Sequence, residues 1–174
     1  MTLRNRPKSG RGAPGYPAMH IRRARKEDLG PVADLIVRTK RLNNEFDPLF
    51  AVVPDAKARA EKHITRSIGT PDKLLLVAEE GSKVVGVLRA EMRERLFYEP
   101  HTEGFVTDFY ILPEYRRKAL GNEMIQRAAT ELKKMGAQII VADVPARNEI
   151  ANRFYMKRGF RPLSNLVGRS PSSP

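Results

Sequence analysis

Apolar positions fall into helical and strand periods along most of the chain, and they order the elements before any chemistry is considered. After the short alternating run "MHIRRAR", an edge strand, residues Lys26 to Asn44 place Leu29, Val32, Ala33, Ile36, Val37 and Leu42 at helical spacing. Glu27 and Asp28 occupy that helix's first turn, where its dipole favours acids. "NNEFDPLFAVVP" supplies breakers, and a helical pattern resumes over Asp55 to Ile68. The period then changes to two. "KLLLVAEE" and "KVVGVLRAEMRE" predict a hairpin across Glu80-Gly81-Ser82, and "EGFVTDFYILP" predicts a well-buried strand stopped by Pro113.

Ala119 to Met135 is the clearest helix, with Leu120, Met124, Ala128, Leu132 and Met135 on one stripe, Ile125 and Ala129 beside it, and Gly136 at its end. "QIIVADV" is a compact strand. A last helix begins at Asn148 and ends at Gly159, after which "FRPL" returns to extended structure. The order β, α, α, β, β, β, α, β, α, β predicts an α/β (α+β) fold. Its mixed, mostly antiparallel sheet of about six or seven strands is flanked by about four helices.

Length and composition narrow the classes. A chain of 174 residues, 41% hydrophobic and 30% charged, is expected to form one domain over residues 18–169. Its ends, 1–17 and 170–174, are expected to be a solvated basic tail and a Ser/Pro tail. No apolar run approaches the ~18 residues of a membrane span, and the cations near the N-terminus precede Gly and Pro instead of a signal-peptide core, so a cytoplasmic location is the default expectation. With no cysteine, disulfides, thiolate metal sites and a thiol nucleophile drop out together. His20, His63 and His101 lack metal-ligand spacing, and no metal is implied.

A formal charge of +12 suits a nucleic acid or a small polyanion. Four of the cations, Arg4, Arg6, Lys8 and Arg11, lie in the first tail, which makes nucleic acid the weaker expectation.

The chemistry centres on "RRKALGNE", Arg116 to Glu123, where a buried strand hands over to a helix. Backbone N–H groups at a helix start lack intrahelical acceptors and sit at the positive end of the dipole. Gly121 leaves the approach of a phosphate open, Ala119 nearly so, and Arg116, Arg117 and Lys118 add charge; a plain solvated turn would read the same way. Neither a Walker loop nor a Gly-x-Gly-x-x-Gly turn is present.

The stretch "FVTDFYILPEYRRKALGNEMI", joined to "NEIANRFYMKRGF", resembles the GNAT superfamily of acetyl-CoA-dependent N-acetyltransferases over roughly Val84 to Phe160. That family's phosphate loop, Gln/Arg-x-x-Gly-x-Gly/Ala, falls on Arg116, Arg117, Lys118, Ala119, Leu120 and Gly121, with Ala119 in place of the usual first glycine. The resemblance implies a GNAT-like acyl-CoA N-acyltransferase fold and acetyl-CoA as cofactor. It implies that the amides of Arg117, Lys118, Ala119, Gly121 and Asn122 hold the pyrophosphate. The strand end Phe109, Tyr110, Ile111 and Leu112 would pair with the pantetheine, with the Ile111 N–H polarising the thioester carbonyl. Asn148 would meet the pantetheine, and Tyr155 would be the general acid at the sulfur. Spacing alone favours reading Phe154, Tyr155 and Phe160 as core aromatics at a helix C-terminus over a catalytic role for Tyr155.

The acceptor implied is a primary amine. Asp108, or Glu103, is the candidate base. Among "RLNNEFDPLF", Glu45 and Phe46, with Asn43, Asn44, Asp47, Leu49 and Phe50 around them, would receive a cationic amine with an apolar stem, or else cap the core. Small-molecule, amino-acid and protein amines all stay open. The short segment after Phe160 leaves a sheet edge that a homodimer partner would complete.

Overall fold

The computed structural model describes residues 19–116 and 119–171. Residues 1–18, which hold the basic segment, residues 172–174, and Arg117 and Lys118 of the turn lie outside the described residues.

One sheet carries β1 (Met19–Arg23), β2 (Lys73–Glu80), β3 (Lys83–Glu94), β4 (Thr102–Ile111) and β5 (Ile139–Ala142) in sequential order. Neighbours are antiparallel through β4, and β5 runs parallel to β4. Helices α1 (Leu29–Phe46) and α2 (Ala56–Ser67) follow β1; α3 (Leu120–Lys134) is the crossover between the parallel pair, and α4 (Glu149–Met156) follows β5.

Among the described residues, five strands stand where six or seven were expected. The run after Gly159 contributes none: Pro162 has no N–H for a ladder, and Leu163, Leu166 and Val167 are exposed.

Side-chain alternation assigns the faces. A Cβ on Gly86 of β3 would lie 3.0 Å from Met124 Sδ, and one on Gly104 of β4 would lie 2.8 Å from Leu132, so this face carries α3. Gly104 is what lets Leu132 reach the sheet, because any side chain there would overlap it. Arg89 of β3 points to the other face, where α1 and α2 pack. Covered on both sides, β2 and β3 bury Leu74 to Ala78 and Val85 to Leu88 almost without break.

One irregularity re-aims β4. Arg89 pairs with Asp108 but Ala90 with Val106, so Thr107 is an extra residue, a β-bulge, and its Oγ1 donates to the Arg89 carbonyl at 3.3 Å. Without it Asp108 would share the α3 face with Gly104 and Val106. With it, Asp108 points between α1 and α2 while Phe109 and Ile111 turn toward α3 and α4.

Candidate active site

The site begins where β5 leaves β4. Their parallel pairing runs from Glu103 with Ile139 to Val106 with Ala142, and the Asp143 N–H bond to the Val106 carbonyl at 3.3 Å is the last contact before the strands splay. On its other side β4 stays paired: the Leu112 N–H donates to the Val85 carbonyl at 2.9 Å, and the register continues through Tyr110 with Val87. Alternation in an antiparallel ladder then turns the N–H and C=O groups of Phe109 and Ile111 to the opposite edge, which β5 has vacated. This is a strand edge with donors and acceptors for an extended ligand. Arg116, expected to add charge at the turn, places Nε 2.9 Å from the Ile111 carbonyl and its guanidinium over the Tyr110 ring.

The helix that follows opens at Ala119, whose φ of 57° is left-handed. A Cβ in that conformation is crowded against its own backbone at a cost of about 1–2 kcal/mol, which is why glycine suits this position. The Ala119 carbonyl accepts from the Asn122 N–H at 2.8 Å and from Glu123 at 3.2 Å, so the Asn122 amide is already turned into the helix. Gly121 has a packing reason of its own: a Cβ there would stand 3.0 Å from the Phe154 ring of α4. Replacing Ala119 with Gly removes the left-handed strain but loosens the unfolded chain by about 0.4–1 kcal/mol. A net stabilisation of up to about 1 kcal/mol is expected, read as a raised Tm.

Helix α4 closes the opening. Its first turn is capped by Asn148, whose Oδ1 accepts from the Ala151 N–H at 3.0 Å. Phe154 packs edge-on against Phe109 of β4 at 5.5 Å, Tyr155 against Phe154 at 5.3 Å, and Phe160 against Tyr155 at 5.0 Å, one aromatic row from strand to helix end. Arg158 ties this row to α3, with Nη1 2.7 Å from the Phe154 carbonyl and Nε 3.2 Å from Asn122 Oδ1. Tyr155 is 6% exposed, and burial holds its hydroxyl well above the ordinary tyrosine value.

Across the sheet, α1, α2, β3 and residues 50–53 line an open cavity of about 490 Å³. Its polar wall is Lys40, Arg59, His63 and Arg89, and its apolar wall includes Ile36, Val37 and Ile64. Asp108 lies behind it, 2% exposed; its Oδ2 is 2.6 Å from Arg89 Nη2 and 2.8 Å from Nε. Among the described residues only the Lys40 ammonium reaches Oδ1, at 2.6 Å. Arg89 Nη1 meets His63 Nε2, and burial, then the Arg89 and Lys73 charges, lower the His63 pKa.

A smaller cavity of about 140 Å³ shares Lys40 and Phe50 with this one and reaches Thr107 and Asp143 at the splay. Glu45 is exposed and Phe46 half-buried at the end of α1, and neither lines either cavity. Glu45 and Phe46 are thus displaced from the concave surface, to which the same segment contributes Asn43 and Phe50. Glu103 pairs with Arg95 at 3.4 Å.

The "Acetyltransferase (GNAT) family" matches residues 39–160. The chain belongs to the GNAT family. It is an N-acetyltransferase that uses acetyl-CoA. Among this GNAT protein's relatives, an aminoalkylphosphonate N-acetyltransferase of Salmonella typhimurium is 24% identical over 145 residues, 83% of this chain and 86% of that one. An aminoglycoside N(6')-acetyltransferase type 1 of an Acinetobacter species is 23% identical over 95 residues, 53% of this chain and 65% of that one. A predicted acetyltransferase of Clostridium acetobutylicum, solved with acetyl-CoA, shares the fold with a TM-score of 0.72 at 16% identity, covering 88% of this chain and 96% of that one.

The polar wall of the cavity was not legible in the sequence. Lys40, His63 and Arg89 sit on three different elements with nothing in spacing to join them.

Proposed function

We propose that the protein transfers the acetyl group of acetyl-CoA to a primary amine by direct attack in a ternary complex. The observation that carries this reading is the β4 edge left without a strand partner at Phe109 and Ile111, its Ile111 carbonyl accepting only from Arg116 Nε, set between the start of α3 and the aromatic row of α4. These groups fit the donor: a strand edge for the amide-bearing arm, a helix start for the diphosphate, a phenol for the sulfur. When bound, acetyl-CoA supplies an acyl carbon and a sulfur leaving group.

In this reading the main chain of Phe109 and Ile111 holds the pantetheine, with Asn148 near it. The Ile111 N–H polarises the thioester carbonyl, strongest where charge develops on its oxygen. The amides of Ala119 and Gly121, with Arg117 and Lys118 of the same turn, take the pyrophosphate. The incoming ammonium loses a proton to water, its nitrogen forms the C–N bond, the C–S bond breaks, and Tyr155 Oη gives the sulfur its proton. The second nitrogen proton goes to solvent, which restores the phenol. The net reaction is ammonium plus acetyl thioester giving amide, thiol and one proton.

Asp108 works in this scheme as a positioning residue: its carboxylate is divided between Arg89 and Lys40, which makes it a poor acceptor for a substrate proton. The absence of cysteine supports direct attack, since the strongest acyl-accepting side chain is missing.

Initial rates with acetyl-CoA and an amine varied together test the scheme. Intersecting lines and no acetylated protein by mass spectrometry are expected; parallel lines with a covalent acetyl-enzyme would replace direct attack by a two-step route.

A further inference from the structure

We propose that the cavity between α1 and α2 takes a small primary amine that carries an oxyanion, a phosphonate, phosphate or carboxylate, with the anion on Lys40 and Arg89. The idea rests on the acetyl-transfer reading only for the fate of the amine.

The charge balance of the wall is the argument. Two cations, Lys40 and Arg89, share one carboxylate, Asp108, so the cluster keeps one positive charge in excess. Asp108 is itself out of a ligand's reach, its side chain having no exposed surface. Arg59 is neutralised by Asp55 at 2.9 Å, and His63, with its pKa lowered and its Nε2 against Arg89, adds no charge at neutral pH. Among the described residues, no carboxylate lines the larger cavity.

A polycationic amine entering there would meet ammonium and guanidinium groups in a half-desolvated space, where like charges repel strongly. An oxyanion would find donors, since the three N–H groups of a lysine and the five of an arginine exceed what Asp108 and His63 engage.

The carboxylate a positive group needs lies at the opposite end. Asp143 and Thr107 line the smaller cavity, which adjoins the larger through Lys40 and Phe50 and stands where the free edge of β4 begins. A molecule lying across both cavities would put its anion at Arg89 and its amine at the splay. The apolar wall of Ile36, Val37 and Ile64 suits a short hydrocarbon link between them.

The test uses the full chain. Aminoethylphosphonate and β-alanine are compared with propylamine, a diamine and an aminoglycoside for CoA release from acetyl-CoA. Ethylphosphonate, which has no amine, is titrated separately by thermal shift without acetyl-CoA.

A kcat/KM for the anionic amines at least about tenfold above propylamine is expected, as one charged hydrogen bond is worth this much. Ethylphosphonate should raise Tm, less so at high salt. Lys40→Met should remove that rise and Lys40→Arg should keep it. The stronger of phosphonate and carboxylate identifies the anion.

Preference for the diamine or aminoglycoside, or no ethylphosphonate stabilisation of the wild type, overturns the proposal. Stabilisation by ethylphosphonate with none of the five amines acetylated upholds the anion site and counts against transfer to a small primary amine bound there.

Discussion

Replacing Tyr155 with Phe should lower kcat about 10²-fold, the smaller end of what a positioned general acid contributes. The change deletes one oxygen and keeps the ring, so the edge-on contacts with Phe154 and Phe160 remain. No side chain or carbonyl among the described residues is hydrogen-bonded to the hydroxyl, so folding stability should barely move. That separates a chemical role from a structural one: the loss appears in kcat and not in Tm or in the KM for acetyl-CoA. The pH profile sharpens the test. Burial raises the Tyr155 pKa above its ordinary value of 10.0, so the phenol stays protonated throughout the neutral range. Any fall in wild-type activity with a midpoint below that value belongs to another group, and Tyr155→Phe should run parallel to wild type from roughly pH 6 to 9. Turnover within twofold of wild type over that range would remove Tyr155 from the chemistry.

Most of the architecture follows from local pattern. The stripe Leu120, Met124, Ala128 and Leu132 predicted the buried face of α3, and the hairpin of β2 and β3 followed from two β-rich runs around Gly81. Local pattern also misled where it was short. "FRPL" has a strand's composition, but with Pro162 and no sheet edge brought to it the segment stays irregular.

The residues proposed for acetyl-CoA were named from the sequence because they are contiguous: one strand end, one turn, one helix start, and a second motif carrying Tyr155. The acceptor half was not legible, for two physical reasons. It joins Lys40, His63, Arg89 and Asp108 from α1, α2, β3 and β4, and it depends on a bulge at Thr107 that inverts the alternation of β4. A period of two, extended through "FVTDFYI", sends Asp108 to the wrong face. The wall charge consequently came out opposite to the acidic one expected from Glu45.

That inverted residue carries the second large effect. Asp108→Ala should destabilise the fold by about 3 kcal/mol, the lower end for breaking a buried ion pair. Lys40 can swing into water, its side chain being 42% exposed, so the cost falls mainly on Arg89, at 16%, which would keep its charge beside His63 with no carboxylate. Urea unfolding should show the loss as a lower midpoint at unchanged slope. Removing both charges should cost much less than the two single changes together: with Asp108→Leu and Arg89→Met combined, no charge is stranded and apolar volume fills the gap, so the pair should show a coupling energy of about 1–3 kcal/mol. A proton-accepting Asp108 predicts the reverse pattern, turnover lost at nearly full stability, because a base must reach the substrate nitrogen, and this carboxylate has no exposed side-chain surface.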